Sequence, residues 1–507
     1  MNHRIACLCC ILCVLCVTLC GCVSQETVPA AQLTLPPAQE KRAAPENDTR
    51  QSYSQTLLLY LPSLDGTQLL SVPQTVNLSA SQHSAAALCE TLLAHPGTDV
   101  TAPVGGDVTI SLTDTDAVEV SGQTVTVILA ASALRLSHEQ LFTVGQALAN
   151  TLCQNGDLQY VNVLISGTQP GLNIAATLPA GSFQGNTRED LSSLWARASA
   201  PLNSGRRSFA VTLYFPAPSG KGILCEARTL LFSSQDLPGM ALTLLDALSA
   251  GAESLPKAPQ CPDLRDMLLE APTLSETGGA RRLILRFSQD LNAALINAGI
   301  TRSVMMASLC CTMTTFLPGI EGIEVQIGGE RVTTLTPSGT YNRAGETITF
   351  ADGIMHRRDF SGFLLSECTL YFADAEGNLV RVQRPVPFYE ACSARALLEQ
   401  LMLGPQPFDS QTGLSPVLPT GLRPADLLGV AYADGAMLLN FSSQLSSLAA
   451  SLNKTAEQAL IYGAVNTLCE LPPVKKVVFF IQGAQPESLA GTLYLPGDFL
   501  PNLDLVR

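Results

Sequence analysis

Leu59-Tyr60-Leu61, Leu213-Tyr214-Phe215 and Leu370-Tyr371-Phe372 decide the fold. Five residues past the third member of each triplet stands a glycine: Gly66, Gly220 and Gly377. An apolar alternating run, a turn glycine and a second apolar run spell a hairpin. Outward from each triplet the same signals follow in the same order. A helix-period stretch comes next (85–93, 240–248, 394–403), then a second hairpin turning at Ser121-Gly122, Gly278-Gly279 and Asp434-Gly435. A longer amphipathic helix is expected over 137–153, 291–316 and 455–471. Each copy closes on a strand ending in glycine, over 160–167, 323–329 and 477–483. Tyr60 and Tyr214 are 154 residues apart and Tyr214 and Tyr371 are 157 apart, so one unit is written three times. Copies one and three also share Asn150-Thr151-Leu152-Cys153 and Asn466-Thr467-Leu468-Cys469. The unit reads strand–strand–helix–strand–strand–helix–strand, an α+β fold with helices packed on a sheet. The boundaries expected are 54–186, 208–350 and 367–507, joined by linkers 187–207 (which holds Trp195) and 351–366.

The 507 residues suffice for several cores, and 46% apolar against 14% charged residues argues against wholesale disorder. A net charge of −14 leaves no basic footprint for nucleic acid, and it repels an anionic membrane surface. Membrane attachment must therefore come from the start of the chain. Met1-Asn2-His3-Arg4 is basic, residues 5–19 are apolar, and Leu19-Cys20-Gly21-Cys22 follows. That is the order of an export signal over 1–21, with an apolar part short for a bilayer span. The last four residues resemble a bacterial lipobox, which implies that Cys22 carries a diacylglycerol (and a palmitate-type acyl chain) and becomes the mature N-terminus. Each buried CH₂ adds about 0.8 kcal/mol, so one acyl chain binds marginally and two hold. Residues 22–53, rich in Ala, Pro, Gln, Glu and Thr, read as a disordered tether. The expected location is the cell membrane, lipid-anchored, on its extracytoplasmic face.

Sixteen cysteines include seven within residues 1–22. Cys10, Cys13 and Cys16 have metal-ligand spacing inside the segment that export removes, where thiols serve as small hydrophobes. The remaining nine are an odd number, and several stand where sister copies carry apolar residues, such as Cys89 against Leu245 and Leu398. Reduced, buried thiols fit better than a disulfide framework.

No catalytic motif assembles. There is no His-Glu-x-x-His, no Gly-x-Ser-x-Gly and no phosphate-cradling loop; Ser219-Gly220-Lys221 is a turn. His83, His95, His138 and His356 lack ligand spacing, so neither a metal nor a cofactor is expected. Glu90, Asp246 and Glu399 recur mid-helix, one per copy. A glycosidase would need two such carboxylates flanking one bond, and a solvated helix face explains them better. The tyrosine column is read as packing rather than as a sugar platform. The loop 413–421 combines fixed prolines with permissive glycines, so it holds one shape. It is either a partner contact or a structural crossover. Asn440, in a strand, either caps a turn or faces a partner.

The third copy carries Gly404-Pro405, then Gly413-Leu414-Ser415-Pro416-Val417-Leu418-Pro419-Thr420-Gly421, then Leu428-Gly429-Val430, Asn440-Phe441-Ser442 and a helical run containing Glu457 and Asn466. In order, these resemble the GerMN domain of spore germination and sporulation lipoproteins. The candidate partner-binding loop is Gly413, Leu414, Ser415, Pro416, Pro419 and Gly421, and the family-motif positions are Gly429, Asn440, Phe441, Ser442 and Asn466. Copy two keeps Leu213-Tyr214-Phe215-Pro216 but has Arg286 in place of Asn440, and copy one is more diverged. The resemblance implies a fold similar to the ring-building domains of secretion systems. It also implies a non-catalytic role in assembly at the membrane around the forespore. The partners implied are other sporulation envelope proteins, with a homo-oligomer or ring as an open alternative. The competing readings are an envelope glycan-binding module and a hydrolase of the spore cortex.

Overall fold

The computed structural model describes residues 42–49, 52–114, 116–201, 206–234, 236–277, 280–337 and 345–507. The signal segment 1–21, Cys22, most of the tether and the Gly278-Gly279 turn lie outside the described residues. Residues 44–507 form one compact unit.

The fold is mixed α+β. Strands β1 (Ser52–Pro62) and β2 (Leu69–Ser79) form an antiparallel hairpin, followed by helix α1 (Ser84–Ala94). A three-stranded sheet follows: β3 (Val118–Ser121) pairs antiparallel with β4 (Thr124–Leu129). After helix α2 (His138–Leu152), β5 (Tyr160–Ile165) joins β4 in parallel. Helix α3 (Leu191–Ala198) leads into the second stretch. That stretch has the hairpin β6 (Arg207–Pro216) and β7 (Ile223–Phe232), helix α4 (Leu237–Ser249), and strands β8 (Thr273–Thr277) and β9 (Ala280–Phe287). Helices α5 (Asp290–Asn297) and α6 (Arg302–Phe316) then precede β10 (Gly322–Ile327), which is parallel to β9. Four two-residue strands follow, β11 (Glu330–Arg331), β12 (Thr334–Leu335), β13 (Ile348–Thr349) and β14 (Ile354–Met355). The third stretch repeats the order: β15 (Leu365–Ala373) and β16 (Leu379–Pro387), α7 (Ala394–Met402), β17 (Leu427–Ala433) and β18 (Ala436–Phe441), α8 (Ser443–Ala449) and α9 (Lys454–Cys469), then β19 (Lys476–Ile481) parallel to β18.

Two local features recur in all three stretches. The closing strands end in residue pairs with positive φ, Ser166-Gly167, Gly328-Gly329 and Gln482-Gly483, the signature of a tight hairpin turn that matches strand twist. Nothing would meet a Cβ at Gly167, Gly329 or Gly483, so glycine is there for its backbone alone. The second feature satisfies an orphan. A two-stranded hairpin leaves one edge unpaired, and a buried N–H on that edge needs an acceptor. The hydroxyl of Thr151 accepts from Tyr60 N–H at 3.0 Å, that of Thr312 from Tyr214 N–H at 3.0 Å, and that of Thr467 from Tyr371 N–H at 3.1 Å.

Three expectations change. The long helix expected over 291–316 is two helices bent by 102°, with Gly299 at φ +69° in the break. Among the described residues no single helix is long and apolar enough to cross a membrane. The connector 351–366 is packed inside the protein: Phe360, Phe363 and Arg357 are buried there. Arg357 donates to Glu119 of β3, to the Tyr214 hydroxyl at 2.9 Å and to Thr315 at 2.7 Å, so it locks the first stretch to the second. The connector 187–207 is likewise folded, with Trp195 of α3 packed on Phe142. Finally, the last part of the tether is ordered. Residues 44–49 lie along β17, and Thr49 bridges Ala431 in parallel.

One apolar core runs through residues 57–365, joining the first two stretches, and the third has its own from Cys368 to Leu495, which Ala80 also enters. All nine described cysteines are free thiols, and burial pushes them up, to about 11 for Cys225 and about 12 for Cys311.

Thr312→Val removes the acceptor of a fully buried N–H and is expected to cost about 1–3 kcal/mol in a denaturant titration, while Thr312→Ser retains most of the stability. Equal midpoints for the valine variant and the parent would refute the role given to this bond.

Candidate functional site

The built feature of the third stretch is the edge of β17. Pro45 biases Ala44 toward extended backbone, which suits a segment laid along a strand. Thr49 N–H donates to Val430 C=O at 3.1 Å, and Val430 N–H donates to Asp48 Oδ1 at 3.0 Å. The Arg395 guanidinium, projecting from α7, grips both oxygens of Asp48 and donates a further bond at 2.9 Å to Leu427 C=O. Its hydrogen bond, and then its charge, hold the Asp48 carboxyl below the usual range, against partial burial. Asn440 Nδ2 donates to Pro45 C=O at 2.9 Å, and its Oδ1 accepts from Gly483 N–H at 3.1 Å. Of the two meanings expected for Asn440, the structure shows the turn cap after β19; the side chain also holds the chain's own Pro45. A Cβ on Gly429 would stand 2.5 Å from Pro45 C=O. Glycine at 429 is what lets that backbone approach.

The docked segment forms one wall of a cleft of about 930 Å³ between the first and third stretches. Its lining includes His83 and Glu90 of the α1 region, Asp116, Tyr389, Arg395 and Tyr432. Tyr53 of β1 closes on Tyr432 with ring centroids 5.7 Å apart. His83 Nδ1 accepts from Ala85 N–H at 3.1 Å as the cap of α1, and burial pushes its pKa down, with Asp157 opposing. It is therefore held as a neutral cap. Of the cleft's acid and base groups, His83 is engaged in capping α1 and Asp48 in the ion pair with Arg395. Of the acidic column, Glu90 and Asp246 are exposed on separate helices, Asp246 pairs with Arg265 at 2.8 Å, and Glu399 lies 3.8 Å from Arg395.

The loop 413–421 is pinned to its own domain. Ser415 and Ala373 exchange backbone bonds of 2.8 and 3.1 Å, adding one pair to the β15–β16 hairpin. Val417 and Leu418 are buried, and Val417 packs on Gly463 of α9, where a Cβ would come within 2.8 Å of it. Gly413 and Gly421 have φ of +76° and +100°. Gly413, Ser415, Pro416 and Gly421 stay exposed, Leu414 and Pro419 half so. Of the other motif positions, Phe441 is buried and Ser442 caps α8 while donating to Asp426 at 2.7 Å. Asn466 exchanges two bonds with the Asn502 backbone, at 3.0 and 2.9 Å. Asn150 makes the same clamp on Asn186 in the first stretch.

The structure thus brings Gly429 and Asn440 together and leaves the 413–421 loop elsewhere. Arg395 and Asp48 were missed in the sequence because their partner lies 347 residues away. The available signal was Gly429 inside a strand, which marks a close backbone approach.

Because Asp48 has a lower pKa folded than unfolded, its stabilisation is fully present above the unfolded value of about 3.9 and is lost as pH falls through the folded value. Arg395→Gln is therefore expected to unfold earlier than the parent at neutral pH, with the gap closing on acidification below the usual carboxylate range. A gap that persists unchanged in acid would show that the ion pair is not its source.

Residues 369–487 match the Germane family model, described as sporulation and spore germination. Among solved structures, the chain is similar to the tandem GerMN domains of the sporulation protein GerM from Bacillus subtilis (16% identity, 60% of this chain and 99% of that one, TM-score 0.22). It is also similar to the first GerMN domain of that protein (24%, 27% and 97%, TM-score 0.22). A chain named as a lipoprotein from Clostridium perfringens is similar too (23%, 27% and 87%, TM-score 0.19). No curated protein matches. The match to the Germane model, described as sporulation and spore germination, is confined to residues 369–487, the stretch that carries Gly429 and Asn440 at its docked edge.

Proposed function

We propose that this chain is a membrane-anchored, non-catalytic lipoprotein of the sporulation or spore germination machinery. It acts by protein–protein assembly at the membrane around the forespore, through three GerMN-type domains spanning 54–186, 208–350 and 367–507. The observation that carries this reading is the Germane match over 369–487. The export signal and Leu19-Cys20-Gly21-Cys22 support the anchor at Cys22 and the extracytoplasmic location. The threefold recurrence of the threonine–tyrosine bond and of the closing turn supports three copies of one unit. Fusion of the first two units into one core leaves the third as the separately packed one, suited to presenting surfaces to other envelope proteins.

A tagged chain imaged through a sporulation time course should concentrate at the forespore membrane, and uniform distribution at every stage would sink the reading. Cys22→Ser should move the chain from the membrane fraction to the soluble fraction; unchanged membrane retention would remove the lipid anchor from the account.

A further inference from the structure

We propose that the edge of β17 is a docking site for an extended acidic segment, and that the occupant it exchanges for its own residues 44–49 is the same segment of a second copy of this chain. The site reads backbone and one carboxylate. Val430 offers both its N–H and its C=O, Asn440 offers an amide to a carbonyl, Gly429 admits the close approach, and Arg395 clamps Asp48 in a two-point bond. Ala44 adds an apolar contact, packing against a cluster of Ala431, Ala436, Leu438, Val478 and Phe480 on that face of the sheet. This is strand addition with a side-chain selector.

Segment and site lie at opposite ends of the chain, 382 residues apart from Asp48 to Val430. The segment runs on toward β1 in the first domain while it pairs with the third. A second copy carries the identical ligand, so the choice between own and foreign segment rests on effective concentration, which anchoring to one surface raises. The site is special to the third domain. At the position of Asn440 the hairpin and parallel registers place Ile128 in the first domain and Arg286 in the second. Reciprocal exchange closes a two-fold dimer, and one-way exchange extends a row of copies.

The proposal rests on the assembly reading and fails separately from it, because mixing purified chains reads exchange while imaging reads placement in the cell. Full-length Asp48→Arg and full-length Arg395→Glu, each in detergent, carry a charge clash within one chain. In an equimolar mixture the unaltered Asp48 of one meets the unaltered Arg395 of the other. Sedimentation velocity is expected to show a shift to dimer mass or above that neither variant gives alone. The chain carrying both substitutions should close on itself and stay with the parent. A second pairing avoids charge: Gly429→Val fills the site and leaves its own segment unaltered, and mixed with Asp48→Arg it should shift in the same way. Mixtures that sediment as the sum of their separate components in both pairings would overturn the proposal.

Discussion

A hairpin of two strands has an unpaired edge, and in this protein that edge is buried against a helix. Satisfying it fixes where the long helix of each stretch sits. The N–H groups of Tyr60, Tyr214 and Tyr371 each find a threonine hydroxyl on the long helix, at 3.0, 3.0 and 3.1 Å. An unsatisfied buried donor costs about 1–3 kcal/mol, so the helix must sit at one height and one rotation along the strand. In the first stretch Gln154 extends the constraint, taking Leu58 N–H at 3.2 Å and returning a bond to Leu58 C=O at 3.0 Å. With the helix so placed, the strand that follows it returns parallel to the second hairpin, giving the β4–β5, β9–β10 and β18–β19 pairs.

This constraint was legible where the neighbouring residues agree. Asn150-Thr151-Leu152-Cys153 and Asn466-Thr467-Leu468-Cys469 stand out as shared, and their asparagines turn out to make the same clamp on a segment 36 residues downstream. In the second stretch Cys311 takes the asparagine's place beside Thr312. The clamp is gone and the threonine is hidden among other residues, although its bond is unchanged. Repetition shows in sequence what several positions share; a single hydroxyl doing the same work is invisible there.

What sequence could not show is where polar groups meet across long separations. Residues 351–366 look like a connector, since nothing in their pattern marks Arg357 as an interior group. Its charge is acceptable inside because Glu119, the Tyr214 hydroxyl and Thr315 converge on it from three elements. The same face of the first sheet carries Asn162, bonded to Thr212 at 2.9 Å, and Thr126, 3.3 Å from the Tyr214 hydroxyl. A polar sheet face buried under a neighbour's hairpin demands a matched set of partners. That is why the first two stretches share a core while the third, whose corresponding face holds Ala431, Leu438 and Val478, meets a different partner.

That partner is the stretch just before the first domain, and the tether reading failed there for an instructive reason. Composition marks residues 22–53 as unable to bury a core of their own. It is silent on a segment that needs no core because it borrows an edge. Four backbone and side-chain contacts on β17, β18 and α7 order residues that have no apolar period of their own.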